Sequence, residues 1–309
     1  MSNSPTASSN KKIWAGLWVV YIVWGSTYLG IEFAIRSMPP LLAMGMRFLA
    51  ASLLLGVFLL VKFGRRSIYV TVRQMVSLFF LGALLLGLGL GMVSLAQFNG
   101  VPSGLVALLI SILPFWILIF KVIEGIRTSI LSLVGVCIGF LGVAILLQPE
   151  LQKPNNGGHI FWMLMVVVGN IGWAFGSYIS PRLGLPEKAL VVTFYQMLLG
   201  GIGMTIAGLV AKESFHDFFD ATLASWAWWV FLVLIGSILT FTAYVWLSAN
   251  APIGLVSTYA YVNPIVAVLL GVLFLDEQFS TTLLLGAGVV ILGVSIVVKV
   301  EAQAKEQQL

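Results

Sequence analysis

"GLVSTYAYVNP", residues 254–264, repeats the pattern of "GLVALLISILP", residues 104–114, at a distance of 150 positions. Further matches keep nearly the same spacing, between 149 and 151 positions: Trp24 with Trp173, Asn99 with Asn250, Gly135 with Gly286, and Gly142 with Gly293. The chain therefore contains two related halves. Whatever fold the first half adopts, we expect the second half to repeat it.

Composition assigns the chain to a membrane. Of its 309 residues, 60% are hydrophobic and 9% are charged, whereas soluble domains carry about 25% charged residues. The net charge of +5 comes from basic residues that lie in short segments between apolar runs. This is the pattern of membrane topology, so we expect no nucleic-acid partner. The single Cys137 supports neither a disulfide framework nor a thiolate metal site.

A membrane-spanning helix needs about 20 mostly apolar residues, and ten segments qualify. Each is continuous and Leu-rich, which favours helices over the alternating strands of a barrel. The predicted fold class is an all-α membrane protein with ten transmembrane helices in two inverted five-helix repeats. The segments are residues 13–31, 41–61, 76–96, 101–120, 130–147, 160–180, 189–211, 223–249, 253–275 and 281–298.

Lysines and arginines set the predicted orientation. If the N-terminus is cytoplasmic, the inner segments hold twelve of them and the outer segments three, as the positive-inside rule requires. We therefore predict a multi-pass protein of the cell (inner) membrane with both termini cytoplasmic. The predicted parts are an N-terminal tail (1–12), a first repeat (13–148), an outer linker (149–158), a second repeat (159–299) and a C-terminal tail (300–309).

Five helices in each repeat have a mechanistic consequence. Because five is odd, the second repeat enters the bilayer from the opposite side, and a pseudo-twofold axis in the membrane plane relates the halves. Each half can then adopt the conformation of the other, which is the basis of alternating access. A duplication kept only for packing is the alternative.

Four stretches resemble a known family: "WGSTYLGIEFAIRSMPPLLAMGMRFLAAS", "WAFGSYISPRL", the start of the fourth segment, and "LFLDEQFSTTLLLGAGVVILGV". They are similar to the EamA-type domains of the drug/metabolite transporter superfamily. The resemblance implies a ten-helix exporter whose central cavity is lined mainly by helices 1, 3, 4, 6, 8 and 9. One departure is that the acidic residue after the ninth segment, Glu277, corresponds to Glu124 only with a shift of three residues.

Prolines interrupt matching helices of the two halves. Pro114 and Pro264 deprive the carbonyls of Ile110 and Ala260 of their usual donors. Such carbonyls must find partners in protein or cavity water, so both helices should face the interior of the bundle. We predict hinges at Pro114 and Pro264, with simple bends in packed helices as the alternative.

Polar and aromatic side chains suggest a substrate site. The second half carries Thr258, Tyr259, Tyr261 and Asn263 around its proline, whereas Ser111 is the main polar residue at the matching place in the first half. These groups either bind substrate or pair with neighbouring helices. Aromatic residues at matched places on the first helix of each half could stack on an apolar substrate. The predicted aromatic contacts are Trp24, Tyr28, Trp173 and Tyr178.

Arg47 is the one charged residue well inside a predicted span. An unpaired arginine there costs about 2.5 kcal/mol or more, so it needs a partner, and Glu32 is the nearest candidate in the sequence. Gln196 occupies the corresponding place in the second half. We predict a structural or gating role for Glu32, Arg47 and Gln196; contact between Arg47 and an anionic substrate is the alternative.

The remaining signals concern what the chain lacks. Its sequence offers neither a nucleophile–base arrangement nor a phosphate-binding G-x-x-x-x-G-K-S/T loop, so we expect no enzyme, no cofactor, no metal and no direct use of ATP. The predicted function is a secondary transporter that exports small organic metabolites, such as amino acids or similar amphipathic solutes. An importer and, less favoured, a channel are the alternatives. The expected partners are a small-molecule substrate and the lipid bilayer; a monomer is compatible with the sequence, which does not fix the oligomeric state.

Overall fold

The computed structural model describes residues 7–126, 128–152, 157–251, 253–256, 258–275 and 280–306, and these residues form helices and connections with no strand. The all-helical fold class is thereby confirmed. The helices are α1 (Ala7–Ile35), α2 (Pro40–Phe63), α3 (Val72–Phe98), α4 (Ser103–Ile123), α5 (Ile130–Gln152), α6 (Gly157–Ile179), α7 (Ala189–Val210), α8 (Leu223–Asn250), α9 (Ile253–Val256 and Tyr259–Leu275) and α10 (Thr281–Glu306).

Eight helices in the described part of the chain are long and apolar enough to span a membrane. The other two, α5 and α9, contain the shorter apolar stretches Ile130–Leu146 and Val262–Leu275. Large apolar side chains such as Val61 and Leu273 are exposed on the outside of the bundle, which suits contact with lipid. The chain is a multi-pass membrane protein, and the two-repeat layout fits it. The count of ten crossings stays a prediction.

Helices α2 and α7, which correspond in the two halves, pack antiparallel. At the start of α2, the backbone N–H groups of Leu41 and Leu42 donate to the carboxylate of Glu213, just after α7, at 3.1 and 2.6 Å. At the end of α2, the Phe63 ring lies 4.9 Å from the ammonium of Lys188, just before α7. The two helices therefore run in opposite directions, as an inverted repeat requires.

The contacts between α2 and α7 are also reciprocal. A Cβ atom built on Gly45 would lie 2.7 Å from the backbone nitrogen of Thr205, and one built on Gly56 would lie 2.7 Å from the Phe194 ring. Gly45 corresponds to Phe194 and Gly56 to Thr205, each 149 positions apart. Exchanging the two halves thus turns one contact into the other, which is the behaviour of a twofold axis.

Helices α5 and α10 repeat this arrangement through glycines. A Cβ atom on Gly293 would lie 2.6 Å from the Gly135 carbonyl oxygen, and one on Gly142 would lie 3.0 Å from the Gly286 oxygen. These two contacts also exchange when the halves are exchanged. Small residues let the two backbones approach closely in the absence of a hydrophobic driving force. The central helices are also exchanged by the twofold axis: α1 packs on α8 and α9, and the counterpart of α1, helix α6, packs on their counterparts α3 and α4.

The helices near the centre of the bundle are irregular at corresponding places. In α3 the turns are π-helical from Ala83 to Leu90, and in α8 from Leu232 to Phe241; the two segments start 149 positions apart. In α4 the helix is interrupted by a turn at Ser111 and Ile112, so that Pro114 opens a new helical segment. Irregular backbone at membrane depth is tolerated where protein or a cavity covers it.

Candidate functional site

Two tryptophans that correspond in the halves meet at the centre of the bundle. The ring centroids of Trp24 on α1 and Trp173 on α6 lie 5.5 Å apart in an edge-to-face arrangement, a favourable geometry for aromatic pairs. Tyr259 and Tyr244 complete the group, with centroids 5.3 and 4.9 Å from that of Trp24. Because a residue and its counterpart can touch only near the symmetry axis, this aromatic cluster marks the pseudo-twofold axis of the protein.

A first cavity lies against the aromatic cluster and is lined by α1, α2, α3, α4, α6 and α9. The resemblance implied helices 1, 3, 4, 6, 8 and 9, so α2 contributes here in place of α8. Among the predicted substrate contacts, the structure brings together Trp24, Tyr28, Trp173, Tyr259 and Asn263. The lining also includes Thr27, Ile31, Arg47, Gly89, Leu90, Val93, Ile110, Leu113 and Asn170.

Arg47 reaches the first cavity from α2 and is only 1% exposed. Its Nε donates to the hydroxyl of Ser237, in the π-helical part of α8, at 2.7 Å. Its Nη1 lies 3.5 Å from the sulfur of Met44, and the guanidinium lies 4.9 Å from the centre of the Phe48 ring. These partners are all neutral. Glu32, the predicted counter-ion, accepts a hydrogen bond from Gln97 at 3.3 Å, and its pairing with Arg47 stays a prediction.

Asn170 on α6 supplies the hydrogen bonds that the interruption of α4 requires. Its side-chain Nδ2 donates to the carbonyls of Leu109 and Ile110, each at 3.0 Å. Pro114 has no N–H with which to satisfy the carbonyl of Ile110, so the carbonyl predicted to lack a donor is paired by protein. The other amide atom, Asn170 Oδ1, is buried and has no hydrogen-bond partner among the described residues.

Asn263 ties the other proline-containing helix, α9, to its neighbour α1. In the orientation of its amide that suits the surrounding groups, Nδ2 donates to the carbonyls of Val20 and Tyr21 on α1 at 3.2 and 2.8 Å. The buried Pro264 lies within the continuous helical segment that starts at Tyr259. Each proline-containing helix is therefore joined to a helix of the other half through an asparagine, which lies on α6 in one case and on α9 itself in the other.

A second cavity borders the aromatic cluster at Tyr244 and lies between α3, α6, α7, α8 and the connection from α6 to α7. Three of its lining residues correspond to residues of the first cavity. Ser177, Ser180 and Gln196 line it, and each lies 149 positions after a residue of the first cavity, namely Tyr28, Ile31 and Arg47. The twofold operation that relates the helices therefore exchanges these three positions, whereas the rest of the two linings differ.

Tyr178 does not join the aromatic cluster, contrary to the prediction that it lines the substrate site with Trp173. Its hydroxyl donates to the carboxylate of Glu124 at 2.7 Å, and Arg182 binds the same carboxylate at 2.6 Å. These hydrogen bonds, that of Tyr178 first, lower the pKa of the Glu124 carboxyl. The side chains of Glu124 and Arg182 are 43% and 49% exposed. Tyr178 therefore belongs to a surface tie between the ends of α4 and α6.

The remaining predicted residues make internal contacts. Ser111 is buried and donates to the carbonyl of Leu108 at 2.6 Å. The hydroxyl of Thr258 meets that of Tyr21 and also donates to the carbonyl of Leu255 at 2.6 Å. The side chain of Tyr261 lies outside the described residues. Ser111 and Thr258 thus pair with neighbouring backbone or helices, which was the alternative interpretation of the polar groups near the prolines.

The residues that the sequence analysis missed are Asn170, Thr27, Ser237 and Tyr244. A signal for Asn170 exists, because it is a lone amide in an apolar run and lies one helical turn before Trp173. Ser237 carries no such signal, since its importance depends on the π-helical turns that point its hydroxyl to Arg47. As for metals, the described residues contain no group of three or more histidine, cysteine, aspartate or glutamate side chains able to hold one.

Comparisons with known proteins agree with this architecture. The model of the EamA-like transporter family matches residues 13–148 and 160–299. An uncharacterized inner membrane transporter, YedA of Escherichia coli (strain K12), is 35% identical over 92% of this chain and 90% of its own length. A probable amino-acid metabolite efflux pump of the same strain is 24% identical over 90% of this chain and 92% of its own length.

A solved crystal structure shares the fold. It superposes with a TM-score of 0.66 at 16% sequence identity, covering 95% of this chain and 98% of its own. That likeness concerns the fold alone, whereas the family match and the similarity to YedA extend over both halves of the sequence. The chain belongs to the EamA-like transporter family.

Proposed function

We propose that this protein is a secondary transporter that exports small organic metabolites by alternating access. The observation that carries the proposal is the pair of cavities lined at corresponding positions of the two halves, both next to the aromatic cluster that contains the Trp24–Trp173 contact. Because corresponding positions of the two halves line the two cavities, a conformational exchange of the halves would open one cavity while it closes the other.

The interfaces between corresponding helices suit such a movement. The glycine contacts of α5 with α10 are reciprocal, so exchanging the conformations of the two halves preserves the pairing. In α4, the break before Pro114 offers a place where the helix can bend, and Pro264 occupies the corresponding place in α9. We assign the hinges to these two prolines. The aromatic cluster is the barrier between the cavities.

The substrates that fit the first cavity are amphipathic. Its lining combines the aromatic rings of Trp24, Tyr28 and Tyr259 with the amides of Asn170 and Asn263. Such pockets hold a ligand through apolar contact and fix its orientation through a few polar groups. Amino acids and similar metabolites have this character, and the relative named as an amino-acid metabolite efflux pump supports both this class and export.

The proposal includes a topology. Ten helices cross the inner membrane, residues 13–148 and 159–299 form the two repeats, and both termini are cytoplasmic. The tie of Glu213 to α2 at one end and of Lys188 to α2 at the other supports this arrangement. Impermeant reagents should therefore label cysteines at Arg65 and Asp217 from opposite faces of sealed vesicles, in a background without Cys137. Labelling of both from one face would refute the topology.

The test of function is flux. Purified protein in liposomes should exchange radiolabelled solutes from a panel of amino acids, sugars and nucleosides with a saturable rate, and Trp173→Ala should alter that rate. Leu209→Ala, on an exposed face of α7, is the matched control. Conduction at channel rates, or no flux of any solute, would refute the proposal. Glu32→Gln, measured against pH, separates proton coupling from facilitated diffusion.

A further inference from the structure

The first cavity contains a guanidinium whose partners leave part of its hydrogen-bonding capacity unused. Arg47 carries five N–H donors in a planar fork. Its contacts are one hydroxyl, of Ser237, one thioether, of Met44, and the face of the Phe48 ring. Among the described residues, the ion pairs do not include Arg47. A buried positive charge thus lines the cavity, and its side-chain partners are all neutral.

Physical chemistry defines the ligand that would complete this site. A buried charge is stable when it is paired and hydrogen-bonded, and a carboxylate matches the guanidinium fork with two parallel hydrogen bonds. The Ser237 hydroxyl accepts from Nε and so fixes one edge of the guanidinium. The Arg47 side chain is thereby held against the cavity before any ligand arrives, which reduces the entropy lost on binding.

A second polar atom of the cavity also lacks a partner. Asn170 Oδ1 is buried without a hydrogen bond among the described residues, while its Nδ2 is held by the carbonyls of Leu109 and Ile110. The amide is therefore fixed by its nitrogen, and its oxygen remains to accept a hydrogen bond. An acceptor and a cation in one cavity are complementary to a solute that carries both a donor and a carboxylate.

The corresponding position in the second cavity is neutral. Gln196 stands there, 149 positions after Arg47, and its Oε1 is buried without a partner among the described residues. The twofold symmetry therefore accounts for a cavity-lining side chain at this position in both halves, but it does not account for the positive charge of Arg47. A structural tie needed by the fold would be expected in both halves, so the charge is a property of the first cavity.

From these observations we propose that Arg47 binds the carboxylate of the transported solute, with Asn170 Oδ1 accepting a hydrogen bond from its donor group. The substrate class is then monocarboxylates with a donor, of which amino acids are the simplest. This inference rests on the proposed transport function and goes beyond it, because it assigns one residue and one chemical group of the substrate. Transport of uncharged or cationic solutes alone would leave the proposed function standing and overturn this inference.

The experiment compares acids with their amides. The thermal unfolding of purified full-length protein is followed in detergent with each of the common L-amino acids and with its carboxamide, and dissociation constants are taken for the compounds that stabilise it. We expect stabilisation by one or more acids and little by the matching amides. Arg47→Gln should weaken binding of those acids about 30-fold or more, because truncating one partner of a buried charge pair is costly.

Control variants separate binding from folding. Arg182→Gln removes an arginine that lies outside both cavities and should leave the acid-over-amide preference intact. Arg47→Lys keeps the positive charge but loses the two parallel donors of the guanidinium. It should retain a weaker preference for acids over amides. This variant replaces Arg47→Gln in the test if Arg47→Gln does not fold. Stabilisation by amides as strong as by acids, an unchanged preference in the Arg47 variants, or no acid that stabilises the wild type would each overturn the proposal.

Discussion

Replacing Asn170 by alanine tests whether the interruption of α4 depends on its neighbour α6. The asparagine donates two hydrogen bonds of 3.0 Å to the carbonyls of Leu109 and Ile110. Pro114 cannot take over, because it has no N–H. The variant therefore leaves a buried carbonyl without a donor at a site that the sequence cannot repair locally.

The magnitude follows from the number of groups left unpaired. A buried polar group that loses its partner costs about 1–3 kcal/mol, whereas hydrogen bonds between membrane helices average about 0.6 kcal/mol because the unfolded chain also finds partners. The carbonyls of Ile110 and Leu109 each lose the donor that Asn170 supplies. We expect Asn170→Ala to lower the free energy of unfolding by about 2 kcal/mol, within the range for a buried group left unpaired.

The assay is unfolding of the purified protein by sodium dodecyl sulfate in mixed micelles, followed by tryptophan fluorescence. Asn250→Ala is the control, since the side chain of Asn250 donates to Trp246 within its own helix at 2.8 Å and is exposed. That variant should change the free energy of unfolding by about 0.5 kcal/mol or less. Equal effects of the two substitutions would refute the role given to Asn170.

Three other predictions concern stability. Gly293→Ala should lower the free energy of unfolding by about 1–3 kcal/mol through overpacking, because its Cβ would lie 2.5 Å from the Gly139 nitrogen. In Gly288→Ala, on the same helix, the added methyl group meets open space, so this control should leave the free energy of unfolding unchanged in the same assay. Glu213→Ala removes the carboxylate that caps α2 and should cost about 1 kcal/mol. Asp217→Ala, at an exposed aspartate of the same loop, should leave the midpoint of thermal unfolding nearly unchanged. Because the pKa of Glu124 is lowered in the folded protein, its stabilising contribution is fully present above the ordinary carboxyl pKa and is lost as pH falls through the lowered value. The stability difference between wild type and Glu124→Gln should therefore shrink between roughly pH 5 and pH 3. A difference that stays constant over this range would contradict the prediction.

Much of the architecture could be predicted from local sequence. Apolar runs determine helices because the bilayer leaves no other way to pair the backbone, and the repeat spacing of 149–151 positions predicts which helices correspond. The irregular turns could not be predicted, because the residue types of Ala83–Leu90 do not distinguish a π-helix from an α-helix; in the structure this segment packs against α6 and α7.

The candidate site was predictable only in part. Trp24 and Trp173 could be found because a residue and its counterpart are both aromatic and lie in mid-helix. Tyr178, five residues later, was misplaced because helical position alone does not say where a helix leaves the core; it meets Glu124 at the surface instead. The partner of Arg47 was expected to be an acid, and the hydroxyl of Ser237 could not be foreseen from a sequence distance of 190 residues.

Alternating exposure of the two cavities can be measured with a pair of cysteines at corresponding places, Ile31→Cys in the first and Ser180→Cys in the second, each in a Cys137→Ser background. Their reaction with an impermeant thiol reagent is timed from each face of sealed proteoliposomes, with and without a transported solute. Reaction from opposite faces, with solute raising one rate as it lowers the other, is the predicted result. Reaction of both cysteines from the same face, or rates that rise together, would contradict the mechanism.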